Sequence, residues 1–176
     1  MEVIYALLII VAIIATAIYF LTRKSPLERR ARKAIRKVMP SGVTVLYEEG
    51  EPYPNVLGVE QVVIDFIEEA YDKGYRLNRG DVQIAFLKPD GVSETGIPVF
   101  LIKTGNYHDT EYVVNGRMKI GGQFFPPDLI ILPSQRDDNE MREVLRHELI
   151  HFAHFCGDKA KYEQFKVHRD GEVFDL

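Results

Sequence analysis

His147, Glu148 and His151 are the residues of this chain whose types and spacing do chemistry together. On a helix, side chains four apart sit one above the other. Two imidazoles placed that way both reach one zinc ion at bonds of about 2.0–2.1 Å. Glu148 faces the surroundings of such an ion without joining its ligands. A carboxylate there takes a proton from a metal-activated water, which is the chemistry of peptide-bond hydrolysis. Four of the five histidines fall between His147 and His168, which scattered core usage does not produce.

A helix must present that trio. The pattern predicts one starting near Asp137 or Asp138, either of which can cap it, and stopping at Gly157. Met141, Val144, Leu145, Leu149 and Phe152 form its core face, and His147, His151 and His154 cluster on another. Upstream, Val43–Tyr47 reads as a strand. Apolar residues from Val59 to Tyr71 at spacings of three and four give an amphipathic helix ending at Gly74. Val82–Leu87, Pro98–Thr104 and Leu129–Leu132 read as strands, and Asn115-Gly116 joins a hairpin over 111–120.

The His147–His151 stretch and this element order resemble the zincin metallopeptidases, with a looser likeness over residues 43–168. The resemblance implies an α+β domain: a backing helix, a small mixed or antiparallel sheet, the metal helix and a short C-terminal helix. It also implies a zinc cofactor, and a cleft bordered by the segment Tyr112–Leu132 in which an extended peptide substrate adds as a strand. Which strand forms the edge stays open.

A hydrolytic zinc site needs three protein ligands and an open position. In metzincins, and in small cytosolic relatives of the SprT and WLM types, the third is often a histidine soon after the motif. The metzincin position is Gly157 here, which has no side chain to offer. Gluzincins instead use a Glu on a following helix. Glu163, twelve residues after His151 in a helix capped by Asp158, is similar and is the expected third ligand. Asp158, His154 and His168 remain alternatives, and Tyr162 or Arg169 could steady an oxyanion.

The other strong signal is N-terminal. Val3–Leu21 holds 19 residues without a charge, about 29 Å as a helix against about 30 Å of hydrocarbon. A removable signal peptide is the rival, with a small-x-small site at Ala15-Thr16-Ala17, but a basic leader is lacking. Eight Lys and Arg against one Glu follow between residues 23 and 37, so the rest of the chain, net −4 overall, is acidic. Nothing in that acidic part points to nucleic acid.

The expected organisation is a transmembrane anchor over 1–22, a basic juxtamembrane helix or linker over 23–40, and the zincin-like domain over 41–176. The positive flank places that domain in the cytoplasm. Ser25-Pro26-Leu27-Glu28 opens the basic helix as a capping box, and this helix either lies on an anionic leaflet or is a solvated linker. The single cysteine, Cys156, excludes an internal disulfide and falls on the helix side opposite His147.

The expected activity is that of a membrane-anchored zinc metalloprotease with His147, His151 and Glu163 as ligands and Glu148 as general base. A zincin-like domain that binds metal or a partner without hydrolysis is the alternative. A structural adaptor with a fortuitous motif comes third.

Overall fold

The computed structural model describes residues 25–50, 56–101, 113–114, 117–119, 121–134, 138–166 and 175–176, together with helical positions 5, 7 and 9–15. The elements in order are α1 (Pro26–Ala31), β1 (Ile35–Val38), β2 (Thr44–Tyr47), α2 (Val56–Asp72), β3 (Gln83–Leu87), β4 (Gly91–Val92), β5 (Pro98–Leu101), β6 (Val113–Val114), β7 (Arg117–Lys119), β8 (Gln123–Phe125), β9 (Leu129–Pro133), α3 (Asp138–Gly157) and α4 (Lys159–Phe165). The described residues form a mixed α+β arrangement.

The main sheet runs β1-β2-β3-β9-β8. β2, β3 and β9 are parallel, while β1 and β8 pair antiparallel at the two ends. Successive side chains of a strand face opposite sides, and both sides of this sheet are covered. Ile84 and Phe86 point with Val45, Ile130 and Leu132 into a core shared with Val59, Val63 and Phe66 of α2 and Leu145, Leu149 and Phe152 of α3. Ala85 and Leu87 point the other way, with Leu46, Leu129 and Ile131, onto Leu27 and Ala31 of α1 and onto Phe100. A second sheet, β4-β5-β7-β6, is inserted between β3 and β8. It contains the expected hairpin strands, though Asn115 and Gly116 lie outside the described residues.

Two N-terminal expectations are corrected. Among the described residues no helix is long and apolar enough to cross a membrane. That finding overturns the membrane-spanning helix over Val3–Leu21 and, with it, the single-pass placement with a cytoplasmic domain. Residues 3, 4, 6, 8 and 16–21 of that stretch lie outside the described residues.

The basic segment, in turn, is built into the fold. Ser25 caps α1 by accepting from the Glu28 amide at 2.9 Å, as the capping box predicts. The helix stops at Ala31, however, and Ile35–Val38 becomes β1, paired with β2. Arg30 forks onto Glu48 and also donates to the Lys88 carbonyl, while Arg32 reaches Asp128 at 2.8 Å. Leu27 and Ala31 are buried in the core. The short apolar stripe is a tertiary contact, and β-branched Ile35 and Val38 suit a pleated edge better than a second helical turn.

Candidate metal centre

β9 is buried along its whole length and delivers the chain towards α3 across one side of the sheet. α3 packs Met141, Leu145, Leu149 and Phe152 against the core, which orients the rest of the helix. Asp138 and Glu140 in its first turn favour the positive end of the helix dipole. Asp137 lies outside the described residues.

With that face fixed, His147 and His151 meet one helical turn apart. Their rings are edge-on at 72°, with centroids 5.0 Å apart, and the two Nε2 atoms are 3.3 Å from each other. Two nitrogens bound at about 2.0–2.1 Å to one tetrahedral ion lie about 3.3–3.4 Å apart. The pair therefore already has the bite that zinc requires. The same separation lets one ring donate to the other, with the roles set by the tautomer. His151 is 6% exposed, and Glu148 is 7% exposed.

Burial pushes the Glu148 carboxyl up to about 8, and a hydrogen bond from the Phe124 backbone holds it back only in part. A desolvated carboxyl of that kind is a base poised near neutral pH. A cation beside it would draw its proton affinity down again.

The expected third ligand does not join the pair. Tyr162 and Phe165 turn α4 onto the core, so Glu163, about 100° further round the helix than Tyr162, faces outward. Its side chain is 64% exposed and pairs with Lys166. Asp158 caps α4, accepting from the Lys161 amide at 3.1 Å. Among the described residues, no three His, Cys, Asp or Glu side chains gather to hold a metal. His168 and Arg169 lie outside the described residues.

His154, expected beside the other histidines, is set apart from them. It is fully buried, with its ring 6.3 Å from that of Tyr75 and 6.1 Å from that of Phe165. Among the described residues, neither ring nitrogen has a hydrogen-bond partner at normal geometry. Burial lowers its pKa below the ordinary 6.5 and Lys161 lowers it further, offset in part by the Asp175 backbone and the Asp158 carboxylate. The folded chain thus resists protonating His154, while the unfolded chain does not. The stability this contributes is complete above the ordinary value and is lost as pH falls below it. Each unit of pH there costs up to about 1.4 kcal/mol. His154→Phe is expected to flatten the loss of stability between pH 7.5 and 5 in denaturant melts. Equal slopes for both proteins would show that another group titrates.

Three features beside Glu148 escaped the sequence reading. The first is β8, only three residues long between Gly121-Gly122 and Pro126-Pro127, which is the terminal strand of the main sheet on the side of α3. The second is the Phe124 backbone at the Glu148 carboxyl. The third is Gly122, where a Cβ would lie 3.0 Å from Glu148 Cγ. The double glycine was the available signal, and it reads equally well as a plain turn.

In comparisons with family models, curated proteins and solved structures, no match was found.

Proposed function

We propose that this chain is a zinc-dependent peptidase in which His147 and His151 hold the ion and Glu148 is the general base. The observation that carries the reading is the 3.3 Å separation of the two Nε2 atoms with a buried carboxyl on the intervening turn. Bound zinc would supply Lewis acidity, polarising the scissile carbonyl and acidifying water. Glu148 takes a proton at its carboxylate and returns it to the leaving amine. β8, the terminal strand of the main sheet among the described residues, would offer its outer edge to an extended peptide substrate.

Among the described residues, no third ligand gathers with the pair. Glu163 is paired with Lys166, and Asp158 caps α4. This favours one second reading, a domain that binds zinc without hydrolysis, because a working site needs three protein ligands.

Elemental analysis and a cleavage assay on unfolded protein substrates separate the two. The peptidase reading expects one zinc per chain and cleavage that a chelator stops and added zinc restores. One zinc without cleavage supports the second reading, and no stoichiometric zinc overturns both. Zinc titration of Glu163→Gln, Asp158→Asn and His168→Gln then shows which position completes the site.

A further inference from the structure

Gly122 precedes β8 and lies directly against α3. A Cβ built there would overlap Val144 Cγ1, and would lie 2.9 Å from Leu132 Cδ2 and 3.0 Å from Glu148 Cγ. None of these walls gives easily. Val144 is β-branched and stiff on a helix, one turn before Glu148. Leu132 is fully buried on β9, where close packing leaves no room. Any side chain at position 122 must therefore push β8 away from α3.

Phe124 stands two residues further on, on the same face of the strand. Its ring packs edge-on against Phe152, Phe155 and Tyr162 at 5.9, 5.8 and 6.3 Å, tying β8 to α3 and α4. Its backbone lies against the Glu148 carboxyl and favours the charged form of the acid. A carboxyl with one fixed donor cannot swing freely on its two methylenes. That donor stays in place only while the strand sits close to the helix.

We propose that Gly122 is a positioning residue, whose missing side chain lets β8 seat against α3 so that the Phe124 amide aims the Glu148 carboxylate. The claim rests on Glu148 acting as the base. It separates base alignment from metal binding: the histidines belong to α3 and keep their spacing when β8 moves, whereas the carboxylate loses its donor.

The test compares Gly122→Ala with the double variant Gly122→Ala/Val144→Ala, in which the overlapping Cγ1 is gone. Gly122→Ala is expected to bind one zinc with affinity within about threefold of the parent. Its kcat should fall at least tenfold with KM little changed, and the double variant should recover most of that loss. A second readout needs no turnover. The Phe124 amide resonance should move when Glu148→Gln is made in the parent, and should not respond to the same change in the Gly122→Ala background.

An unchanged kcat in Gly122→Ala overturns the proposal, as does a Phe124 amide indifferent to Glu148→Gln in the parent. If Gly122→Ala fails to fold, the double variant and the parent amide shift still decide. A chain that cleaves no peptide refutes the peptidase reading, and the amide shift then judges the alignment by itself.

Discussion

Glu148→Gln is expected to keep zinc at one ion per chain while lowering peptide hydrolysis by about 10²–10⁴-fold, the usual contribution of a positioned general base. The two side chains have the same shape, and Gln still offers an oxygen to the Phe124 amide. What disappears is the capacity to accept a proton. The replacement is neutral and of the same size, so it puts no new charge into the buried site. The measurement is kcat on an unfolded protein substrate beside metal content. Undiminished turnover in this variant would remove Glu148 from the chemistry.

The histidine pair carries the second large effect. His147→Ala and His151→Ala each remove one of two nitrogens that stand 3.3 Å apart. Loss of a group that merely orients a ligand already costs about 10–100-fold in metal affinity, so losing a ligand should cost more than about 100-fold. Thermal melts report this without any substrate. Zinc at a hundred times its dissociation constant should stabilise the parent by about 2.7 kcal/mol, or about 5–10 °C in Tm for a domain of this size. Neither alanine variant should show that rise. A full zinc-dependent rise in both would mean that the metal binds elsewhere.

These two outcomes depend on different links of the chain from sequence to function. The pairing of His147 with His151 follows from helical period alone and was legible from the motif. The core face of α3, the helix stopping at Gly74 and the strands β2, β3 and β9 were legible for the same reason, since each is a local repeat of apolar residues. Glu163 was not. Spacing and a capping Asp place a helix correctly, but which way that helix rolls is decided by Tyr162 and Phe165 seeking the core. The same holds for His154, which shares a helix with the pair yet faces Tyr75 and Phe165.

The N-terminal quarter erred in a different way. A basic run with a thin apolar stripe reads as a helix on a lipid surface or as a solvated linker. Here Arg30 finds Glu48 beyond β2, Arg32 finds Asp128 far along the chain, and the stripe closes the second face of the sheet. Neither pairing follows from a local repeat of residue types.

The chain by itself determined the chemistry on offer: two imidazoles and an acid on one helix, because a turn of 3.6 residues places them together regardless of what else folds. Only the tertiary structure decided how that acid is held. The approach of β8 to α3 at Gly122, and the Phe124 backbone it brings, arise from packing between segments more than twenty residues apart. Periodicity reports which face of a helix is apolar, but it does not say which strand will lie against the opposite one.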